Sequence, residues 1–342
     1  MKRLIILTNS LSGGGAETSA LILKKNLSAQ GIDVTLIGIN ADNPFNVPTS
    51  KEVFSLNRDK SKPITSTILA LIKFRTYVSS QKFDAIIVNC ELPELFSVTA
   101  PRHIHLAIVE HANPAWFQRE QLGRIIRSAL KRRTPLLITV GEHLQPKFFK
   151  NLPYFHIPNP LEEVDSQEVV LAQSEIKRLV YLGRLSSAFK NPLSVLKVAK
   201  LTDLPVIMIG DGDMMKSLKS YAYESKLDCV FTGFQIEPWR LIRSGDLMII
   251  PSSAEGDGLT LVEAIQRKVP FLASQIPDLN RYGISQSNYC ANIEEFANVV
   301  NVYRNRLEEL VVPENLAKKI LESRAPKKVA DKWINLLYRS II

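Results

Sequence analysis

The sequence predicts an α/β protein made of two doubly wound halves. Three observations carry that expectation. Short runs of Ile, Leu and Val alternate with segments of helical period along the whole chain, the pattern of parallel strands covered on both faces. The rhythm breaks at 157–174, where Pro158, Pro160 and the acids Glu162, Glu163, Asp165 and Glu168 crowd together, and then restarts. The length, 342 residues, suits two domains.

The elements follow in order. Arg3–Thr8 reads as a strand, followed by a glycine loop and a helix from Glu17 to Gln30. Val34–Ile39, Ala85–Val88, His105–Val109 and Leu136–Val140 read as further strands with helical segments between them. The second series comprises Arg178–Leu182, Pro205–Ile209, Cys229–Phe231, Leu247–Ile250 and Pro270–Ala273. Helices close the chain, the last from Lys327 to Ser340. The expected boundaries are 1–160, 161–325 and a terminal helix, 326–342, that packs back on the first domain.

Composition excludes several classes. At 45% hydrophobic and 23% charged residues the chain is an ordinary globular one. Cys90, Cys229 and Cys290 are sparse and lack CxxC or zinc spacing, so a reducing, cytoplasmic setting is expected. The apolar run Leu4–Leu7 is too short for a signal peptide and reads as a buried strand. No stretch reaches the roughly 18 apolar residues of a membrane span. The net charge of +9 leans to the first half, where residues 1–165 carry 20 Lys/Arg against 14 Asp/Glu. That excess suits anionic ligands, anionic lipid or nucleic acid without choosing among them.

The segment Pro251–Ala264 (PSSAEGDGLTLVEA) holds the most chemistry. It follows a strand, turns on two glycines and opens a helix, whose free N–H groups attract an anion. Glu255 falls in the loop and Glu263 one turn into the helix, so both can face one ligand. The plain alternative is a glycine turn before an ordinary helix. Tyr181-Leu182-Gly183-Arg184-Leu185 and Lys190-Asn191-Pro192 form a second loop after a strand. Ile209-Gly210-Asp211-Gly212, Phe231-Thr232-Gly233, Ile157-Pro158-Asn159-Pro160 and Gly13-Gly14-Gly15-Ala16-Glu17 complete the set.

In this order the six motifs resemble those of the retaining glycosyltransferases of GT-B fold that carry a Glu-x7-Glu motif, the family 4-like, group 1 enzymes. The resemblance implies two Rossmann-like domains facing a cleft, an N-terminal acceptor domain and a C-terminal nucleotide-sugar domain. It implies transfer of a hexosyl group from a UDP- or GDP-sugar to a glycan or lipid-linked acceptor, as in cell-envelope polysaccharide or lipopolysaccharide synthesis. Arg184 and Lys190 are then the diphosphate ligands, a role that suits a bidentate guanidinium and a compact ammonium. Either cation could instead pair with a neighbouring carboxylate. Glu263 would accept hydrogen bonds from ribose and Glu255 one from the donor sugar, while Gly258 and Leu259 would offer backbone N–H groups. Gly14 and Gly15 would admit the donor, and His111 would touch the transferring sugar. Glu110 is the second candidate there, and a structural histidine is the alternative. No cofactor is expected, the nucleotide-sugar being a substrate, and no metal, since the cations and the helix start supply positive charge and no Asp-x-Asp pair is expected to carry one.

Three positions depart from the family pattern. Asp257 stands where an aromatic residue is usual, Gln275–Leu279 replaces a Gly-Gly and Glu segment, and Asn191-Pro192 stands where Lys-Gly is common. Asp257 is expected to alter the donor-sugar contacts, since a carboxylate suits hydroxyls and repels phosphate.

The segment Arg119–Arg133 (REQLGRIIRSALKRR) holds six basic residues and one acid, with Leu122, Ile125, Ile126 and Leu130 on one helical face. It reads either as a solvated helix packed on its own domain or as a contact with an anionic membrane surface, which would put the protein peripherally on the inner face of the cytoplasmic membrane. Nucleic acid is not expected, because no stacking aromatics interleave with the cations. Three rival functions remain: a nucleotide-sugar epimerase, a non-catalytic sugar- or lipid-binding protein of the same fold, and a dinucleotide oxidoreductase. The last lacks a Gly-x-Gly-x-x-Gly loop.

Overall fold

The structure is a computed structural model and describes residues 3–111, 116, 119–164, 169 and 173–341. It divides into two compact units. One takes Met1–Glu162 with Ser323–Ile342, the other Glu163–Glu322. Asp165 and Glu168 of the segment expected to join the halves lie outside the described residues, as do Ala112 and Asn113.

The first unit holds a seven-stranded sheet of β1 (Arg3–Thr8), β2 (Asp33–Asn40), β3 (Val53–Arg58), β4 (Ala85–Asn89), β5 (His105–Glu110), β6 (Leu136–Thr139) and β7 (Tyr154–His156). Its order is β3-β2-β1-β4-β5-β6-β7, and each pairing is parallel. Helices α1 (Gly15–Ala29), α2 (Pro63–Ser80), α3 (Glu91–Ser97) and α4 (Glu120–Lys131) connect the strands. Leu4, Ile6 and Ile87 point to the face that α1 covers; Ile5, Leu7, Ile86 and Ile108 point to the face covered by α2, α3 and α4. The apolar runs in β1 and β4 therefore serve both faces, as parallel strands require.

The second unit holds β8 (Arg178–Leu182), β9 (Val206–Ile209), β10 (Cys229–Gly233), β11 (Asp246–Ile250), β12 (Phe271–Ser274) and β13 (Tyr289–Cys290), in the order β10-β9-β8-β11-β12-β13. Its helices are α5 (Pro192–Thr202), α6 (Met215–Glu224), α7 (Leu259–Gln266), α8 (Pro277–Asn280), α9 (Ile293–Val302) and α10 (Glu314–Glu322). The chain then returns to the first unit as α11 (Pro326–Ile341), whose Val329, Trp333 and Leu337 join the core under α1.

The polar look of the segment after residue 156 is misleading. Ile157, Asn159 and Leu161 are buried, and Arg324, 3% exposed, donates to the Asn159 carbonyl at 3.2 Å. The Leu161 N–H in turn donates to the Arg324 carbonyl at 3.1 Å. Pro158 and Pro160 thus mark a fixed crossover strapped to the returning chain.

Candidate active site

In a doubly wound sheet, ligands bind beyond the carboxyl ends of the strands where the order reverses direction. In the second unit that point lies between β8 and β11, which pair directly. The loops that leave these two strands carry Arg184, Lys190 and Glu255. They are stitched together: the Ser253 N–H donates to the Phe189 carbonyl at 2.8 Å, and Asn191 Nδ2 to the Pro251 carbonyl at 3.1 Å. Phe189 and Asn191 have φ of 64° and 46°, a left-handed excursion on both sides of Lys190. The result brings Lys190 Nζ to 2.7 Å from Glu255 Oε1, which also accepts from Ser252 Oγ at 2.6 Å. The cation and carboxylate flagged as ligands in the sequence are therefore each other's partners. Arg184 is exposed.

Glycines bring the neighbouring loops in. A Cβ on Gly210 would sit 1.9 Å from the Gly183 carbonyl oxygen, and one on Gly212 would sit 2.2 Å from that of Leu185. The Gly-x-Gly turn thus packs backbone against the β8 loop that presents Arg184. Gly258 caps α7 with φ 64°, and Leu259 is its first residue, so the free N–H groups of this helix begin there. Glu263 lies one turn in. Burial pushes its carboxyl up to about 7, against the opposing pull of Arg267 and a Trp239 hydrogen bond. The Arg267 guanidinium lies 4.7 Å from the Trp239 ring centre.

Asp257 does not behave as its place in the sequence suggested. It is 5% exposed and turned inward, with Oδ1 2.8 Å from Arg281 Nη2, while its carbonyl accepts from Tyr282 at 2.7 Å. Asp278 Oδ2 accepts from the Glu255 N–H at 2.7 Å. Asp278 and Arg281, in and just after the unusual segment, therefore brace the loop of Glu255 and Asp257. Sequence reading missed both; the replacement of the usual residues at 275–279 was the available signal. Trp239 gave none.

The expectation that the chain lacks an Asp-x-Asp pair is wrong: one stands at Asp211-Gly212-Asp213, in the turn after β9. Asp211 Oδ1 accepts from the Gly212 N–H at 2.7 Å, and Ser187 Oγ lies 3.4 Å from Asp213 Oδ2. Both acids are exposed.

The first unit has its own cavity, about 530 Å³, beyond the carboxyl ends of β1 to β5. Asn9, Asn40, Arg58, Cys90, Glu110 and His111 line it where those strands end, with Glu91 and Glu94 from α3 and Trp116, Arg119 and Arg127 from the following segment. His111 Nε2 lies 2.5 Å from Asn89 Oδ1, and Asn89 Nδ2 donates to the Ala16 carbonyl at 3.1 Å. His111 is thereby tied to the start of α1, where Gly14 is the N-cap and Gly15 the first residue. Gly13 has φ 126°, a conformation that favours glycine.

Under the cavity lies a buried ionic triad. Arg127 reaches Glu94 at 2.5 Å and 2.9 Å, and Glu110 at 2.9 Å and 3.1 Å. Burial opposes the Arg127 charge, but the two carboxylates override it and hold the guanidinium above its ordinary range. Burial raises Glu110 despite Arg127, and raises Glu91, whose carboxylate accepts from the Trp116 N–H. Trp116 Nε1 donates to Glu94 at 2.8 Å.

This corrects the reading of Arg119–Arg133 as a single basic face. Arg127 is internal, and Arg133 donates to the carbonyls of Ser97, Ala100, Pro101 and Ile104 at 2.8–3.1 Å. Arg124 pairs with Glu120. The apolar residues divide as well: Ile126 and Leu130 are buried, whereas Ile125 is 70% and Leu122 39% exposed.

Comparison with known proteins bears on the fold and on the kind of protein. The family model described as "Glycosyl transferases group 1" matches residues 165–297. The amylovoran biosynthesis glycosyltransferase AmsD of Erwinia amylovora is 22% identical, over 98% of this chain and 100% of its own. Among solved structures, HepE of Anabaena in complex with UDP and glucose matches with a TM-score of 0.76 at 17% identity, covering 99% of this chain and 100% of that one. The lipopolysaccharide outer core galactosyltransferase WaaB in its apo form matches with a TM-score of 0.70 at 14% identity, over 99% of both chains.

Proposed function

We infer that this GT-B glycosyltransferase, related to the group 1 glycosyl transferases, moves a hexosyl group from a UDP- or GDP-sugar, with retention, to a glycan or lipid-linked acceptor of the cell envelope. The observation that carries the reading is the meeting of Lys190 and Glu255 at the reversal point of the second sheet, beside the start of α7. A diphosphate at that helix start gains the exposed Arg184, Lys190 and the N–H groups of Gly258 and Leu259. These charges neutralise the leaving group as the glycosidic bond breaks, and such electrostatic stabilisation is usually the largest catalytic contribution. Glu255, released from Lys190 by the phosphate, accepts from a donor-sugar hydroxyl, and Glu263 accepts from ribose. Asp257, locked to Arg281, shapes the loop from behind.

In the first unit the acceptor occupies the cavity above the Glu94–Arg127–Glu110 triad. His111, aimed by Asn89, faces the transferring sugar. The names of relatives support an envelope product: amylovoran for one, the lipopolysaccharide outer core for another. Such acceptors would suit an enzyme at the inner face of the cytoplasmic membrane, and the exposed Leu122, Ile125 and Arg124 of α4 support that reading.

Thermal-shift screening against UDP, GDP and their sugars, followed by a soak with the best ligand, tests the reading. The expected outcome is nucleotide between the β8 and β11 loops. Nucleotide bound elsewhere, or no stabilisation by any of them, overturns it.

A further inference from the structure

Helix α2 breaks the pattern of a surface helix. Its inner face is apolar as it should be, with Ala70, Phe74 and Val78 buried. Its outer face is apolar too. Ile64 is 74% exposed, Ile68 52%, Leu69 60% and Ile72 58%. Ile64, Ile68 and Ile72 follow one another at every fourth position and form one row along the helix. Single exposed aliphatic residues are ordinary, but four on one helix face make a patch that marks an interaction surface.

The charge on α2 is of one sign, with the Asp42 and Asp59 carboxylates standing beside Lys60 and Lys62 ahead of its first turn. Residues 60–83 contain Lys60, Lys62, Lys73, Arg75 and Lys82 and no Asp or Glu. All five cations are exposed. The same layer of the unit presents a second, smaller patch. Ile126 and Leu130 of α4 join the core that Phe74 and Val78 of α2 enter, while Leu122 and Ile125 of the same helix stay exposed.

We propose that the outer face of α2 is the seat of an anionic lipid bilayer, with α4 as an auxiliary contact. The isoleucines enter the boundary between headgroups and acyl chains, while the lysines lie at headgroup level with their stems along the apolar row. Charge argues against a second copy of this chain, because a self-complementary contact on this face would set its cations against their own images. Composition argues against a protein partner, whose seat is usually rich in aromatic residues. The inference extends the membrane location proposed above, but it needs neither the sugar nor the nucleotide to be right.

Flotation of the full chain with vesicles tests it, using phosphatidylcholine alone or mixed with phosphatidylglycerol. The wild type should float with the anionic vesicles and be released by high salt. The triple variant Ile64→Gln, Ile68→Gln, Ile72→Gln should lose about tenfold or more in partitioning, because three aliphatic side chains no longer leave water. Lys62→Glu with Lys73→Glu should abolish the preference for anionic lipid. Wild-type circular dichroism and a cooperative thermal transition in both variants show that they fold. Triple-variant flotation equal to wild type overturns the proposal, as does failure of the wild type to float. A wild-type dimer in light scattering that the triple variant loses, without lipid binding, assigns the face to self-association and overturns it equally.

Discussion

Lys190 Nζ and Glu255 Oε1 stand 2.7 Å apart, so the two residues proposed to hold the donor hold each other. The pair spans the loops after β8 and β11. In the proposed reaction it separates when a diphosphate competes for the lysine.

Loss of that lysine should therefore be felt in turnover. Lys190→Ala and Arg184→Ala are each expected to lower kcat/KM by about two orders of magnitude, with most of the loss in kcat, since the charge acts on the departing diphosphate. Steady-state transfer or donor hydrolysis reads this. Near-normal turnover in both variants removes the electrostatic mechanism.

The Asp257–Arg281 contact should matter to folding rather than to specificity. Asp257 is 5% exposed, and Arg281→Ala strands its charge. Removing one side of a buried pair costs up to about 3–5 kcal/mol. Arg124→Ala, which breaks an exposed pair with Glu120, should cost about 0.5 kcal/mol or less. Urea unfolding of the two variants compares them; equal losses would show that Asp257 does not depend on Arg281.

The contrast between these two pairs shows how far the sequence could be read. Strands rich in Ile and Val announced themselves, so the two parallel sheets and the place of Glu255, Gly258 and Glu263 were legible. Three of the four edge strands were not, β10 being the exception: β3 mixes Asn and Ser into a half-exposed run, and β7 and β13 have three and two residues. Such strands are too short or too polar to show an apolar run. Arg127 looked like one cation among six, because a buried charge is distinguishable only once its carboxylates, 17 and 33 residues away, are in contact. Asp257 looked like a change to the donor-sugar contacts because nothing in the sequence pairs it with Arg281. Long-range polar partnerships leave no periodic trace, unlike apolar burial.

Glu263 should make stability depend on pH. Its carboxyl titrates about 7 in the folded chain against an ordinary 4.5. Between those values the folded chain holds a proton that the unfolded chain has released, so stability falls as pH rises through this window and levels off above it. The full effect is on the order of 3 kcal/mol at about 1.4 kcal/mol per pH unit. Glu263→Gln removes the ionisation, so the variant should gain thermal stability relative to wild type at pH 8 but little at pH 5. Parallel shifts at both pH values would mean that Glu263 ionises freely.

Gly210 offers the sharpest separation of loop geometry from charge. It has φ 135°, and a methyl group there meets the Gly183 carbonyl oxygen at 1.9 Å. That oxygen is backbone, so it cannot swing aside as a side chain would. The β8 loop must move, and it carries Arg184 and, a few residues on, Lys190. Gly210→Ala should thus weaken UDP or GDP binding about tenfold or more, because a displaced cradle of about 1 Å suffices for large losses. Gly283 is the control. Its φ is 66° and nothing lies within 4 Å of the added methyl, so Gly283→Ala pays only the left-handed strain of about 1–2 kcal/mol. Both variants lose some stability, but only Gly210→Ala should lose nucleotide. Calorimetric titration that finds equal affinities in the two would mean that the Gly210 turn does not set the position of the phosphate loop.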